Sequence, residues 1–358
     1  MTTPRSLASR LLRVTGYILA AVAALLAALL AYLWFGPLGL QTQPAPTPLH
    51  DYLEAARAVQ QLAAAEGDAV NPLCHTRLLG HGAKTARTIV IFHGISNCPQ
   101  QFAALAALLY ARGYNVLLAR LPRQGMADRL SDAPAAATAE EAVAAGQSLV
   151  DIAHGLGDEV TVVGMSGGGT LAAWLAQNRP DIARTVLVAP MFGVQAFPAS
   201  LTRPIAMAVR LLPNWWGWFD PVLQEKAPGP QHAYPRYSSR TIAEYLRLGA
   251  EVADAARAGA PAVHDIRIVN NLNDESVRPE LARAVATEWQ AHGASVFLYE
   301  FPVSAGLKHD LIDPGQPDAA VDVVYPYLLE VITSAHPPAR QGPATSVREV
   351  ARSIESTW

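Results

Sequence analysis

Residues 160–176 constrain the fold of this chain more than any other stretch of the sequence. Four β-branched residues at 160–163 predict a buried strand, and Leu-Ala-Ala-Trp-Leu-Ala at 171–176 predicts a helix. Between them lies Gly-Met-Ser-Gly-Gly at 164–168, a G-x-S-x-G pattern centred on Ser166. At a strand-to-helix junction this pattern predicts a tight, strained turn that projects the serine hydroxyl. A glycine-rich turn with an incidental serine is the alternative, so partners elsewhere in the chain must decide.

Residues 71–335 alternate short apolar strands with helices outside one long interruption. Strands are predicted at 88–92, 115–119, 160–163, 184–189, 264–270 and 295–300, and helices at 101–111, 138–154, 169–178, 279–292 and 319–333. This alternation predicts a parallel sheet covered by helices on both faces. Residues 191–262 hold no convincing strand, several tryptophans and a helix at 239–258. We expect them to form a helical lid over the carboxyl edge of the sheet.

Residues 14–35 form a run of 22 residues without a charge. As a helix the run is roughly 33 Å long, enough to cross a hydrocarbon core of about 30 Å. Arg5, Arg10 and Arg13 precede it, and no lysine or arginine follows before Arg57, so the positive-inside rule predicts a cytoplasmic amino terminus. We expect a single-pass anchor in a bacterial-type inner (cytoplasmic) membrane, with the remaining chain on the extracytoplasmic side. A cleaved signal peptide is the alternative, although its apolar region is usually shorter.

These patterns divide the chain into seven parts. They are a cytoplasmic amino terminus (1–13), a transmembrane signal anchor (14–35), a proline-rich spacer with a helix (36–70), the first part of the α/β core (71–190), the helical lid (191–262), the second part of the core (263–335) and a flexible tail (336–358). The Pro-rich residues 41–48 are expected to be extended and to lift the following domain off the bilayer.

Composition and cysteine content restrict the partners of the chain. The net charge is −3 and no large basic cluster occurs, so nucleic-acid binding is not expected. Cys74 and Cys98 are the two cysteines, and in an oxidising compartment an even pair suggests a disulfide. Two unpaired buried thiols are the alternative. Neither cysteine has the spacing of a metal site, and nothing in the sequence implies a metal or an organic cofactor.

A serine nucleophile needs a base that accepts its proton and an acid that orients the base. His309 lies in a predicted loop between the last strand and the last helix, where an imidazole can reach over the sheet edge. Asp274 follows the strand at 264–270, and serine, acid and histidine then occur in the order of one known triad arrangement. Glu275 and Asp310 are the rival acids. An Asx turn or a helix cap is the alternative role for Asp274.

A developing oxyanion needs two preorganised hydrogen-bond donors. The amide of Gly167, directly after the serine, is one candidate. The second should come from the loop after an early strand, where His93-Gly94-Ile95 is found, and we expect it to be the Ile95 amide.

The quoted motifs together resemble the α/β-hydrolase superfamily, in particular its monoacylglycerol lipase-like esterases and serine aminopeptidase-like hydrolases. The residues that carry the resemblance are His93-Gly94, Gly164–Gly168, Asn273–Val277 and His309-Asp310. The resemblance covers roughly residues 71–335 and implies Ser166 as nucleophile, Asp274 as acid, His309 as base, and Ile95 with Gly167 as oxyanion donors. Residues 121–125, Leu-Pro-Arg-Gln-Gly, depart from the Gly-His-Gly that relatives often have there.

The resulting hypothesis is a cofactor-free hydrolase of carboxylic esters, with lipophilic acyl esters as small-molecule substrates and a lipid bilayer as the partner of the N-terminal helix. Two alternatives remain open. An amide or peptide hydrolase would use the same triad, and a membrane-anchored binding protein would keep the fold without catalysis.

Overall fold

The computed structural model describes residues 4–40 and 45–336, and for residues 4–8 only the backbone. Residues 41–44 of the expected spacer, and the tail from residue 337 onwards, lie outside the described residues. Helix α1, Pro4–Phe35, contains the predicted span at 14–35. Its most apolar stretch within Ser9–Phe35 has a mean hydropathy of 2.5, and none of that stretch is buried inside the protein. The helix is therefore long and apolar enough to cross a membrane, although a signal sequence has the same properties.

A central sheet of seven strands organises the rest of the chain. The described strands are β1 (Arg77–Leu79), β2 (Thr85–Phe92), β3 (Asn115–Ala119), β4 (Gly157–Met165), β5 (Arg184–Val188), β6 (Trp216–Trp218), β7 (Arg236–Ser238), β8 (Asp265–Asn271) and β9 (Ser295–Phe301). The sheet has the order β1-β3-β2-β4-β5-β8-β9, in which only β1 runs antiparallel to its neighbour. Its six parallel strands are those predicted from apolar runs, whereas the short strand β1 was not predicted.

Helices cover both faces of this sheet. The remaining helices are α2 (Tyr52–Glu66), α3 (Ala103–Tyr110), α4 (Ala139–Leu156), α5 (Gly167–Asn178), α6 (Thr202–Leu211), α7 (Ser239–Ala258), α8 (Pro279–Ala291) and α9 (Val321–Thr333). Helices α3 and α9 contribute to the buried cluster on one face, and α4, α5, α7 and α8 contribute to the cluster on the other. The predicted mostly parallel sheet with helices on both faces is confirmed.

The segment between β5 and β8 differs from the all-helical lid that the sequence predicts. Strands β6 and β7 form a separate antiparallel pair, so the expectation of no strand in this segment is wrong. Each strand has three residues, too few for alternation to reveal it. The guanidinium of Arg236 lies 3.8 Å from the ring centroid of Trp216, which ties the two strands together. Helix α7 packs against α5 in the buried core, and residues 191–238 form the outer part of the insertion.

The chain on either side of residues 41–44 is attached to the domain. The amide of Thr47 donates to Asp151 Oδ2 (3.0 Å), and the amide of Leu49 donates to the Asp151 carbonyl (2.9 Å). Before the gap, the carbonyl of Gly36 accepts from Arg203 Nη2 (2.8 Å). The described residues on both sides of the gap therefore contact the domain, and the spacer remains a prediction.

A disulfide joins Cys74 to Cys98, with the two Cα atoms 5.2 Å apart. Both residues are completely buried. Cys98 caps the 3-10 helix Pro99–Phe102, which follows the loop that contains Ile95. The bridge therefore connects the region before β1 to the loop after β2.

Replacing both cysteines by serine should lower the free energy of unfolding by about 3 kcal/mol, because the unfolded chain loses a cross-link that closes a loop of 24 residues. Urea unfolding of the full chain in detergent, followed by tryptophan fluorescence, measures the change. Dithiothreitol should destabilise the wild type and leave the double variant unchanged. A wild type that reductant does not affect would contradict the prediction.

Candidate active site

Ser166 occupies the sharp turn between β4 and α5, near the middle of the sheet. Its backbone has φ 53° and ψ −119°, a conformation that non-glycine residues rarely adopt. A side chain on Gly164 would overlap the carbonyl of Gly168, and one on Gly168 would overlap the carbonyl of Phe92. Both glycines are therefore required by close backbone approach. The turn presents the hydroxyl at the carboxyl edge of the sheet while Ser166 remains only 5% exposed.

His309 reaches Ser166 from the loop between β9 and α9. Its Nε2 lies 3.0 Å from Ser166 Oγ, within hydrogen-bond distance. The loop turns at Gly306, whose φ of 64° is readily accessible only to glycine. The His309 side chain is 23% exposed, whereas the side chain of Asp274 is fully buried.

Asp274 holds the other side of the His309 ring. Its Oδ2 lies 2.7 Å from His309 Nδ1. Its Oδ1 accepts the amides of Ser276 (2.8 Å) and Val277 (2.9 Å), so the turn after β8 fixes the carboxylate. The Asx turn weighed as an alternative role is present, and it coexists with the contact to His309.

The two rival acids lie elsewhere. Glu275 forms an exposed ion pair with Lys308 Nζ at 2.9 Å. Asp310 Oδ2 accepts from Gln101 Nε2 at 2.8 Å. Of the three acidic candidates, Asp274 alone is hydrogen-bonded to His309 in the described structure.

Electrostatics favour charge on Asp274 and a proton on His309 Nδ1. Burial raises the pKa of Asp274, but the neighbouring His309 and two backbone amides outweigh it and lower the pKa below its ordinary value. Burial lowers the pKa of His309, but the Asp274 carboxylate outweighs it and raises the pKa above its ordinary value. Nδ1–H therefore donates to Asp274, which leaves Nε2 to accept the Ser166 hydroxyl proton.

The Ile95 amide is the free donor of its loop. The amide of Gly94 donates to Gln101 Oε1 (2.9 Å), and the amide of Ser96 donates to Gln124 Oε1 (3.1 Å). Within residues 4–40 and 45–336, the Ile95 amide between them has no hydrogen-bond acceptor. Two glutamines thus fix the backbone on both sides of one available N–H.

Gly167 provides a second amide beside Ser166. It is the first residue of α5, where backbone N–H groups have no acceptor within the helix. A side chain at this position would collide with Ile95 Cγ2 and crowd the Tyr245 ring, so both side chains lie directly against Gly167. The two amides expected as oxyanion donors therefore occupy neighbouring elements, with apolar groups around them.

His93 has a structural role that the sequence did not reveal. Its Nδ1 donates to the Gly94 carbonyl (2.7 Å), and its Nε2 accepts the amide of Leu121 (3.0 Å). Burial lowers the pKa of His93 to about 3, so the ring is neutral. The loop at 121–125, whose sequence differs from the Gly-His-Gly of relatives, contains both Leu121 and Gln124, the residue that binds the Ser96 amide. It supports the Ile95 loop, and in the described part of the chain no hydrogen bond joins it to Ser166 or His309.

Asp310 and Gln101 connect the two loops of the site. Asp310 is adjacent to His309 and binds Gln101 Nε2, while Gln101 Oε1 accepts the Gly94 amide. The sequence does not reveal either glutamine, because a buried polar residue in a predicted helix or loop gives no signal of its direction. Asp310 was expected as a rival acid and as part of the His309-Asp310 motif, and its contact with Gln101 was not predicted.

The outer insertion contacts the loop that contains Ile95 and Ser96. The amide of Tyr234 donates to the Ser96 carbonyl (2.8 Å), and a narrow cavity of about 10 Å³ between them is lined by Ile95, Gln124 and Tyr237. That volume holds about one water molecule. A larger cavity of about 600 Å³ lies between α2, α4 and residues 45–49, and none of the residues around Ser166 lines it. In the described part of the chain no cluster of His, Cys, Asp and Glu has the arrangement of a metal site.

Comparison with known proteins identifies the family. The family model described as serine aminopeptidase, S33, matches residues 83–300, more than half of the chain. The chain belongs to this family of α/β hydrolases. The resemblance predicted from the motifs is thus confirmed. No curated protein matches the sequence.

Solved structures of similar fold include three lipolytic enzymes. A structure described for the metagenome-derived enzymes LipS and LipT has a TM-score of 0.51 and 20% sequence identity. The alignment covers 67% of this chain and 94% of the chain in that structure. The monoacylglycerol lipase of Paleococcus ferrophilus has a TM-score of 0.51 and 16% identity, with coverages of 66% and 90%. A soluble variant of monoglyceride lipase from Saccharomyces cerevisiae has a TM-score of 0.54 and 12% identity, with coverages of 72% and 91%. At these identities the similarity shows a shared fold.

Replacing Asp274 by Asn should lower the pKa of His309, because the carboxylate that raises this pKa is removed. In the wild type the pKa of His309 should lie above the ordinary histidine value of about 6.5. Nuclear magnetic resonance titration of ¹⁵N-histidine-labelled protein measures both pKa values. A variant whose His309 pKa is unchanged or higher would show that the contact does not control the protonation of the ring.

Proposed function

We propose that the chain is a serine hydrolase that cleaves carboxylic esters through an acyl-enzyme intermediate. In this proposal Ser166 is the nucleophile, His309 the general base and Asp274 the acid that orients the base. The observation that carries it is the continuous pair of contacts, 3.0 Å from Ser166 Oγ to His309 Nε2 and 2.7 Å from His309 Nδ1 to Asp274 Oδ2. A weak hydroxyl nucleophile requires such a chain.

The proposed reaction has two halves. In the first, Ser166 Oγ attacks the ester carbonyl while its proton moves to His309 Nε2, and the C–O bond to the alcohol breaks as His309 returns that proton to the leaving oxygen. In the second, water attacks the acyl-enzyme, its proton moves through His309, and the carboxylic acid leaves as Ser166 regains its hydrogen. Asp274 stays ionised throughout and stabilises the imidazolium, consistent with its lowered pKa.

The amides of Ile95 and Gly167 are the proposed oxyanion donors. The free Ile95 amide and the position of Gly167 at the start of α5 support this role. Because the donors are fixed before substrate binds, they need little reorganisation as negative charge develops. Loss of one such donor typically raises the barrier by about 3 kcal/mol.

Lipophilic acyl esters are the proposed substrates. Apolar side chains of Ile95 and Tyr245 line the position of the oxyanion donors, which suits an acyl chain better than a charged group. Two relatives in fold are named as monoacylglycerol or monoglyceride lipases, and we propose the same substrate class for this chain. The family description, serine aminopeptidase, favours amide or peptide hydrolysis as the second candidate.

We further propose that α1 is an uncleaved anchor in a bacterial-type inner membrane, with the catalytic domain on the extracytoplasmic side. Arginines precede the apolar run and none follows for more than twenty residues, which supports this orientation. The disulfide between Cys74 and Cys98 is consistent with an oxidising compartment. The proposed division assigns residues 1–13 to the cytoplasm and residues 191–262, apart from the packed helix α7, to a lid.

Replacing Ser166 by Ala should lower kcat for p-nitrophenyl esters at least about 10⁴-fold, because the nucleophile is lost. Steady-state hydrolysis of acyl esters of increasing chain length, beside an aminoacyl-anilide, measures activity and substrate class. Ser295→Ala, at an exposed position at the start of β9, is the matched control and should retain wild-type rates.

Full esterase activity in Ser166→Ala would refute the assignment. Faster turnover of the anilide would favour the amide hydrolase, and no turnover of either class by the wild type would favour a binding protein.

Replacing Gln101 by Leu should lower kcat about 10- to 100-fold with little change in KM, because the Gly94 amide and Asp310 lose their shared partner and the oxyanion loop loosens. Gln100→Leu is the control, since the neighbouring Gln100 binds Arg77 instead. Ester kinetics combined with thermal unfolding separates the two effects. An equal loss of kcat in both variants would indicate a general effect of the 3-10 helix.

A further inference from the structure

The end of α1 is fixed to the outer insertion. Arg203, near the start of α6, donates to the Gly36 carbonyl (2.8 Å), and α1 packs against α6. The buried Arg247 of α7 donates to the Leu38 carbonyl (2.7 Å). Leu38 itself is 5% exposed. The five residues after α1 are therefore held against α6 and α7.

Buried charges make this attachment firm. Arg247 is paired with Glu140 and with Glu244, each at 2.6 Å. Glu244 also accepts from Arg210 at the end of α6 (2.6 Å). Breaking such a network leaves a buried charge without its partner, which is strongly unfavourable. The orientation of α1 is thus coupled to the orientation of the insertion.

Beyond the other end of α6, the insertion exposes a cluster of large apolar side chains. We call it the apolar rim, and its members are Leu211, Leu212, Trp215, Phe219, Val222 and Leu223, which are 48–85% exposed. The segment is ordered, since the Trp215 amide donates to Ser239 Oγ at 3.0 Å. Six exposed large apolar residues within thirteen positions form a dense group for a surface that faces only water.

A lipid bilayer is the occupant that fits the apolar rim. Helix α6 has ten residues, so about 15 Å separates its Gly36 contact from the start of the rim. The rim therefore begins one short helix away from the point where α1 ends. Arg240, bound to the Leu212 carbonyl at 2.9 Å, and Lys226 are offset in charge by Asp220 and Glu225 of the same segment, so apolar area and not charge is what the rim offers a bilayer. The aromatic rings of Trp215 and Phe219 suit the membrane interface.

We propose that the apolar rim inserts into the headgroup boundary of the same bilayer that α1 spans, so that the insertion faces lipid and ester substrates enter the site from the membrane. The inference rests on the proposed membrane anchorage and ester substrates. The insertion also contacts the loop of the oxyanion donors, because the Tyr234 amide donates to the Ser96 carbonyl. The segment that carries the rim is thereby connected to the loop that contains Ile95.

Site-directed fluorescence in vesicles tests the docking directly. The full chain carries Val222→Cys, labelled with a bimane probe and reconstituted in phosphatidylcholine–phosphatidylglycerol vesicles with or without nitroxide-bearing lipids, whose quencher is shallow for sites outside α1 and deep in the acyl chain for a site within α1. The native cysteines are bonded to each other and buried, so the new thiol is the reactive one. Asp158→Cys, exposed at the amino end of β4 on the opposite sheet edge, is the matched control. Leu25→Cys reports insertion of α1.

We expect at least about twofold quenching at Val222, quenching at Leu25 and none at Asp158, because the rim and α1 contact lipid. Quenching at Leu25 without quenching at Val222 would overturn the rim proposal and leave the anchor intact. Quenching at neither would overturn both. A Val222 signal that depends on the protein-to-lipid ratio and not on the quencher would also overturn it, in favour of a second copy on the rim. None of these results requires ester turnover, so they are independent of the catalytic proposal.

Activity provides the second readout. The double variant Phe219→Asp/Val222→Asp should lose about 10-fold in kcat/KM toward long-chain esters embedded in vesicles, because two apolar anchors are removed from the lipid. It should keep wild-type rates on a short, water-soluble ester. Leu53→Asp, at an exposed apolar position of α2, is the control and should leave both rates unchanged. Equal rates of the double variant and the wild type on vesicle esters would contradict entry from the membrane.

Discussion

The backbone of Ser166 is the constraint on which the rest of the structure depends. A serine at φ 53° between a strand and a helix is held only where the surroundings impose it. Here the imposing groups are β4, paired on both sides by parallel neighbours, and α5, whose first ten residues are all buried. Gly164 and Gly168 let the strand and the helix approach closely enough to close the turn. The same turn sets the positions from which His309 and the loop of Ile95 must approach.

Two polar networks hold the loops of His309 and Ile95 in position beside Ser166. On one side Asp274 is fixed by two backbone amides and holds His309, so its negative charge serves the imidazole. On the other side Gln101, bound to Asp310, and Gln124 occupy the amides that flank Ile95 and leave that one N–H available. Because Asp310 follows His309 directly, the loop of His309 and the loop of Ile95 share one network. Groups at such a site need second contacts of this kind to stay oriented.

The sequence predicts the parts of this arrangement that depend on local pattern. The six parallel strands are continuous apolar runs. Ser166 and His309 each lie between a predicted strand and a predicted helix, and Asp274 follows the end of a predicted strand. The glutamines at 101 and 124 were missed because hydrophobic periodicity does not report which way a polar side chain points. The strands β6 and β7 were missed because three residues are too few to alternate. The attachment of residues 36–40 to α6 and α7 was missed because it depends on Arg203 and Arg247, which are distant in sequence.

The end of the apolar helix α1 is fixed to the insertion that contacts the loop of Ile95. The central claim is that the Ser166 hydroxyl is the activated nucleophile, and covalent trapping tests that claim most directly. The full chain is treated with a fluorophosphonate, and the adduct is located by intact-mass and peptide mass spectrometry. The account predicts one adduct per chain, on Ser166, formed more slowly after Asp274→Asn. No adduct, or an adduct on another serine such as Ser96, would contradict it.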